Sequence, residues 1–453
     1  MPTFAQEGGY EIADVPNDLS GHEAALRRKP VTPMPIAPTT TPTPTSNSDF
    51  TLPNATSPTA ETPKSSMDTP YWEWNRATGD WWGVRNTLEY HGFIFNASYI
   101  FEWSSVWSGG VNNLASTRSI FDANVLFDLD KAVGWTGGSV FVNYYSTDGR
   151  GGSDDVGDTQ GFSNIATGRN LDQIAELWYQ QVFFDGIARL KLGKIDANSE
   201  FDFLNSAGDF SNSSAGFSPT LVGFPSYPNP STGGVLQIMP IERGYISVGF
   251  FDGATGVDGI QTGTRGPETF FSDNDSDDWY WIGEIGYGWD LTPKRDGRVA
   301  VGVWHHTGEF AKLDTLDPGT SDGTTGFYAL AEQRVWSRSD QADDVNQGVY
   351  IFVQFAASDG DITANEFHAA VGTVLKGTFE GRDSDSTGIY ATWLGFSDES
   401  GINDDETAID AYYKTQLTPF ASIKPGLQVI FNPGGNDTID TAVVGSIRFE
   451  VVF

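Results

Sequence analysis

Cysteine is absent from the 453-residue chain. That excludes a disulfide scaffold, a thiolate zinc site and a Cys nucleophile. Histidine (5) and methionine (4) are scarce. Bases are few: 26 Lys and Arg stand against 60 Asp and Glu, for a formal charge of -34. With no separate basic patch, nucleic acid is not an expected partner. No run approaches the ~18 apolar residues of a membrane-spanning helix. No Gly-x-Ser-x-Gly elbow, Walker loop or HExxH is present, so neither an enzyme nor a cofactor is expected. The start shows no basic segment followed by an apolar one, which fits a cytoplasmic protein, a mature chain or a start assigned too late.

What is abundant is Gly (52), Phe (31), Tyr (16) and Trp (14), a profile of turns and aromatics that suits β architecture. Residues 1–70 differ from the rest. Pro30 to Pro63 is a Pro/Thr/Ser-rich stretch that cannot bury enough apolar surface to offset ordering entropy, so a disordered linker is expected. The next stretch, 71–92, reads as a short helical segment at the barrel entrance. Asp80 would cap a helix running from Trp81 to His91, Gly92 would close it, and Trp81, Val84 and Leu88 would share one face.

From Phe93 the hydrophobic period is two. Phe93, Phe95, Ala97, Tyr99, Phe101 and Trp103 fall on one face; Ile94, Asn96, Ser98, Ile100 and Glu102 fall on the other. Phe121, Ala123, Val125, Phe127 and Leu129 likewise oppose Asp122, Asn124, Asp128 and Asp130. Carried to Phe453, this reading yields roughly 16 strands over 93–453, most long enough to cross a bilayer at a tilt. Short connections (Phe184–Gly186, Ile241–Arg243, Pro419–Ala421) alternate with long ones near 148–172, 196–233, 253–278 and 308–326. An all-β, 16-stranded antiparallel transmembrane barrel of the outer-membrane porin class follows. Aromatics crowd strand ends (Trp103, Tyr144, Tyr145, Trp178, Tyr179, Trp279, Tyr280, Trp281, Trp289, Trp304, Trp336), where interfacial girdles sit. A chain ending in an apolar strand and Phe453 fits recognition by the barrel-assembly machinery. The mean hydropathy of -0.31 suits a wall that is half lipid-facing and half water-facing.

Asp273, Asp275 and Asp277 with Glu284 mimic calcium-loop spacing, but Asp278 replaces the turn glycine, so no metal site is assigned. Adjacent His305 and His306 point to opposite faces of a strand and cannot share a metal. Residues 1–70 hold 8 acids and 4 bases, so -30 of the charge belongs to the barrel segment. The expected consequence is that the lumen disfavours anions.

Several segments, in order, resemble the OprB-type carbohydrate-selective porin family. Gly79-Asp80-Trp81-Trp82-Gly83-Val84-Arg85 is similar to its GDWGGxR opening, with Trp82 replacing the usual Gly. Asp128 to Lys131 with Gly134 to Gly138, Gly161 to Ile165, Glu176 to Gln181 with Phe183 to Gly186, Leu192 to Lys194, Asn198 to Phe201, Gln416 to Pro419 and Phe431 to Gly435 continue the resemblance over residues 79–453. It implies an outer-membrane channel for passive, carbohydrate-selective diffusion of sugars and other small hydrophilic solutes, in contact with outer-membrane lipid, with the 1–70 tail on the periplasmic side. A soluble secreted carbohydrate-binding β-protein and a non-selective general porin are the competing readings. Porins of this size are often trimers, so a homotrimer is a further expectation without an assigned face.

In many 16-stranded porins the third long loop folds inward. Here that loop is 196–233, rich in aromatic and small polar residues. Alternation turns Glu176, Trp178 and Gln180 toward the lumen beside it. The expected pore-lining set is Arg169, Glu176, Trp178, Gln180, Lys194, Asp196, Glu200, Phe201 and Asn212. Aromatic faces would contact sugar C–H surfaces, and polar groups would replace water at the hydroxyls.

Overall fold

The computed structural model describes residues 69–453 except 168, 272–277, 293–294, 315, 317–318 and 339–346. The acids Asp273, Asp275 and Asp277, and almost all of the 1–70 tail, lie outside the described residues.

Sixteen strands alternate up and down. They are β1 (Phe93–Ser108), β2 (Ala115–Asp128), β3 (Gly138–Gly149), β4 (Leu171–Phe183), β5 (Ala188–Ile195), β6 (Ser231–Ile241), β7 (Gly244–Asp252) and β8 (Trp279–Asp290). The second half comprises β9 (Asp296–Ala311), β10 (Thr320–Ser337), β11 (Gly348–Ser358), β12 (Asn365–Lys376), β13 (Ser386–Phe396), β14 (Glu406–Thr418), β15 (Ala421–Phe431) and β16 (Ala442–Val452). Each pairs antiparallel with its neighbours, and β1 pairs with β16 over Ser98↔Val452 to Ser108↔Val443, closing the barrel. Closure leaves no unpaired edge, the condition for strands in a bilayer.

The period-two reading sets the faces. On β1, Ile100, Glu102, Ser104 and Val106 are buried inside, while Tyr99 and Trp103 are exposed outside. Not every strand-end aromatic joins the outer girdles: Tyr145, Trp178, Tyr280 and Trp304 have interior parity and are buried. Facing is set by position within the pleat, not by nearness to a strand end. The connection after β9 is also shorter than expected, because β9 and β10 pair from Ala311↔Thr320 onward and absorb most of 308–326.

The short turns gather at one rim and the long loops at the other; in outer-membrane barrels the short-turn rim is the periplasmic one. Against the short-turn end of the β1–β16 seam lies the segment 69–92. Its helix α1 spans Val84–Tyr90, three residues shorter at its start than the capping pattern suggested. Trp81 and Trp82 are left-handed (φ 53° and 57°), and Asp80 instead accepts from the Gly83 N–H at 3.2 Å. Trp81 therefore packs its ring 5.9 Å from that of Phe95, while Val84 is exposed. At the other end Gly92 (φ +90°) passes where a Cβ would come within 2.4 Å of the Asp128 carbonyl oxygen.

Candidate functional site: a loop-narrowed lumen

The connection 196–230 between β5 and β6 turns into the lumen rather than outward. It begins with Asp196, whose side chain accepts from Asn198 N (2.9 Å) and from Ser226 Oγ (2.7 Å), pinning both ends of the loop together. The loop then crosses the bore on a series of wall carboxylates. Glu284 on β8 accepts from Asp202 N (3.1 Å). Glu332 on β10 accepts from the Asn205 side-chain amide (2.7 Å) and from Ser206 N (2.9 Å). Asp410 on β14 accepts from Ser211 N (2.8 Å) and Asn212 N (2.9 Å). Each wall acid thus satisfies loop N–H groups that would otherwise be buried without partners.

Aromatic packing fixes the same path. Phe210 sits 5.0 Å from Tyr412, 5.3 Å from Tyr390 and 5.8 Å from Phe352, ring centroid to ring centroid. Phe217 packs on Phe224, and Phe224 on Tyr280, which stacks on Trp304 at 5.7 Å. The loop's phenylalanines therefore bury the aromatic interior of β8–β14. The second long loop braces it: Asn164 donates to the Phe210 carbonyl (3.0 Å) and accepts from Arg448 (2.8 Å).

At the root of the loop Glu200 is buried between Arg189 and Lys191 of β5, paired with both. Burial alone would raise its pKa, but the two cations outweigh it and hold the carboxyl down to about 2. Asp202 next along is pushed well above its ordinary value by burial, which exceeds the help of the Ser218 N–H. Beside Glu200, Trp178 stacks on Phe141 (4.9 Å) under the Lys191 ammonium (4.3 Å).

The residues expected from sequence fall into three places. Trp178, Gln180 and Glu200 converge with Arg189 and Lys191; Gln180 accepts from Arg189 at 3.3 Å. Glu176, Asp196, Phe201 and Asn212 are buried where the loop meets the wall. Glu176 accepts from Asp196 N (3.1 Å), and the Asn212 side chain caps Ser214 N (3.0 Å). Lys194 shares the parity of outward-facing Leu192 and donates to the Ile174 carbonyl at 2.7 Å. Arg169 is exposed at the outer mouth and donates to Gln261 of the fourth long loop.

Two features lay outside that set. A charged row crosses four adjacent strands, Lys424↔Arg448↔Glu102↔Arg118, with Glu102 bridging both arginines. Below it an amide row runs Asn96↔Asn124↔Asn143 over β1–β3, with Ser98↔Asp122 alongside. Asn96 donates to Asn124 (3.3 Å) and Asn143 to Asp122 (2.9 Å). Asn96, Ser98 and Asp122 keep partial exposure on the lumen side, and the buried Asn143 Oδ1 has no hydrogen-bond partner. Both rows lie on the polar faces of β1 and β2 that the alternation had already separated.

Comparison with known proteins decides the family. Residues 113–453 match the family described as carbohydrate-selective porin, OprB family. The chain belongs to the OprB family. Among its relatives, Porin B of Pseudomonas aeruginosa is 24% identical over 431 residues, covering 83% of this chain and 90% of that protein. A putative porin, QuiX, of Acinetobacter baylyi is 20% identical over 436 residues, covering 84% and 94%. The high-pH structure of Pseudomonas putida OprB superposes with a TM-score of 0.74 at 22% identity, over 84% of this chain and 99% of that one. Membership of OprB makes the molecule an outer-membrane porin and a channel for carbohydrate, not an enzyme.

Proposed function

We propose that sugars pass along the lumen wall of β1 and β2 below the charged row, and that Asn96, Ser98 and Asp122, held in place by the buried Asn124 and Asn143, replace water at their hydroxyls. The observation that carries this reading is the partial exposure of Asn96, Ser98 and Asp122 on inward positions of β1 and β2, next to a charged row that is buried. Side-chain amides both donate and accept, as a sugar hydroxyl does, so each exchange with water is nearly neutral and flux is preserved. The Trp178–Lys191–Glu200–Arg189 cluster sets the position of the loop root. With Gln180, Glu176, Asp196, Phe201 and Asn212 it defines the bore; Lys194 and Arg169 tie the outer loops down.

Single-channel recordings with added glucose test this. Asn96→Leu should weaken glucose block of the ion current while leaving open-channel conductance within about twofold. Unchanged block sinks the assignment. Liposome swelling with neutral and charged solutes tests selectivity: the acid excess favours cations, and faster chloride than potassium permeation at low salt would overturn that.

Three finer expectations belong to the same reading. A periplasmic position for residues 1–70 is supported by the segment that follows them, which packs at the short-turn end of the barrel, where the Ala77 N–H donates to the Val452 carbonyl (2.7 Å). Phe453 at the end of the last strand is the group we assign to the assembly machinery; Phe453→Ser should slow barrel assembly, read as delayed heat-modifiability on gels. A homotrimer is checked by the mass of the detergent-extracted complex.

A further inference from the structure

We propose that a cleft on the outside of the barrel, beneath the 69–92 segment, holds an acyl chain of an outer-membrane phospholipid. The cleft measures about 390 Å³ and lies at the periplasmic end of β1–β3. Its lining includes Trp81, Phe95, Ala97, Ala123, Val142 and Tyr144. On β1, β2 and β3 these are outward positions. Tyr99 and Phe121, which share their faces, stand exposed, and Tyr144 does too.

The recess has a simple origin. Ala97 and Ala123 are direct cross-strand partners, so two small side chains meet where neighbouring rows present Phe95↔Val125 and Tyr99↔Phe121. Trp81 closes one side by packing on Phe95. Arg85 anchors that lid. It is buried, its guanidinium lies 4.9 Å over the Trp81 ring, and it donates to the Phe95 carbonyl and to the Phe453 carbonyl (3.2 Å). Arg85 is thereby committed to backbone and to Glu89 (3.4 Å), and does not recruit an anionic headgroup. The cleft recognises hydrocarbon.

Three observations favour a lipid chain as occupant. The cleft is continuous with the membrane-facing wall, so its mouth opens where lipid already is. Eight of its twelve lining residues are apolar or aromatic; of the polar four, Asn96 and Asn124 have inward parity, and Thr78 and Arg85 belong to the covering segment. The segment that roofs it presents Trp82, Val84 and Tyr90 outward, all strongly exposed, which is the composition of an interfacial helix lying at headgroup level. The 69–92 segment then clamps one phospholipid of the periplasmic leaflet against the seam where the first and last strands meet.

The proposal rests on the outer-membrane reading but is tested separately from it. Full-length protein is purified in maltoside detergent, stripped of lipid, titrated with dipalmitoyl phosphatidylethanolamine and read by native mass spectrometry. One tightly bound phospholipid per chain is expected. Ala97→Leu with Ala123→Leu fills the recess with side chains that a lipid-facing wall accepts, and should weaken binding about tenfold or more. A control pair on the opposite outer wall, Ala329→Leu with Ala369→Leu, should leave binding unchanged. Absence of a retained lipid on a heat-modifiable, conducting barrel overturns the cleft proposal and leaves the porin reading intact; absence of conductance damages the porin reading instead. If the filled variant loses a dimer or trimer mass rather than a lipid adduct, the occupant is a second copy of the chain and the lipid proposal is wrong.

Discussion

The interior of this barrel has two walls that a strand pattern alone would treat alike. Along β8–β14 the inward positions carry Tyr280, Trp304, Tyr328, Phe352, Tyr390 and Tyr412, all buried beneath the inner loop. Along β15, β16, β1 and β2 they carry Lys424, Arg448, Glu102 and Arg118, with Asn96, Ser98 and Asp122 still reached by solvent. Both sets alternate with outward apolar residues. The difference is what covers them. An aromatic wall facing open water would expose a large apolar patch. Here the phenylalanines of the loop remove it, and the carboxylates of Glu284, Glu332 and Asp410 fix the loop in register. The charged wall is covered as well, but by polar contacts: Lys424 donates to the Asp209 carbonyl, Arg448 to Asn164 (2.8 Å) and Ser163 to Glu102 (2.6 Å). Only the stretch below it, at Asn96, Ser98 and Asp122, keeps exposure.

The sharpest way to break this comparison is to uncouple the loop from the aromatic wall. Phe210→Ala removes the ring that contacts Phe352, Tyr390 and Tyr412 and should cost about 3–5 kcal/mol of local stability. Protease accessibility of the loop should rise while the barrel stays heat-modifiable; an equally protected loop would show that the wall does not hold it.

Glu332→Ala with Asp410→Ala should act next. Each loses charge-assisted bonds worth about 1.5–3 kcal/mol to buried loop N–H groups. Single-channel conductance should increase and its fluctuations grow. An unaltered, quiet current would contradict the anchoring role.

The root of the loop gives a pH test. The Glu200 carboxyl is held down to about 2 in the folded protein, below its ordinary value of 4.5. Its stabilising contribution is therefore complete above pH 4.5 and is lost as pH falls toward 2. Current noise should rise across that acid window in the native protein. Glu200→Gln should show the same noise at every pH, and a native channel quiet down to pH 2 would refute the linkage.

Smaller effects should come from the edges. Trp178→Leu keeps an apolar side chain in place but removes the stack with Phe141 and the Lys191 contact, worth about 1 kcal/mol together beyond burial; glucose block should shift by a few-fold through movement of the loop root. Arg169→Ala, at an exposed mouth position, should change neither conductance nor block beyond scatter, as exposed polar contacts contribute about 0–1 kcal/mol. A large effect there would move the constriction outward.

Much of the fold was legible because a β-barrel repeats one local rule. Alternation located the strands and their faces, and turn length separated the rims. The start of α1 was not legible: its N-cap is Gly83, not Asp80, because Trp81 and Trp82 adopt left-handed backbone and delay the helix to Val84. At the site, Trp178, Gln180 and Glu200 were legible as inward or loop residues near one another. Arg189 and Lys191, alternating with Leu190 and Leu192, carried the same signal and are their partners. Lys194 shows how parity corrects proximity: it lies near Glu200 in sequence, yet its strand position turns it toward Ile174 and Gly263.

By itself, then, the sequence determined the barrel, its two faces, its rims and its family, since each depends on periodicity within a dozen residues or on motifs read in order. Only the tertiary structure decided which inward residues the loops cover. Asn205 reaches Glu332 and Asn212 reaches Asp410 across 127 and 198 positions of chain. Such contacts form because a loop entering a closed tube must satisfy its buried N–H groups on whatever wall it meets, and no local pattern records which wall that is.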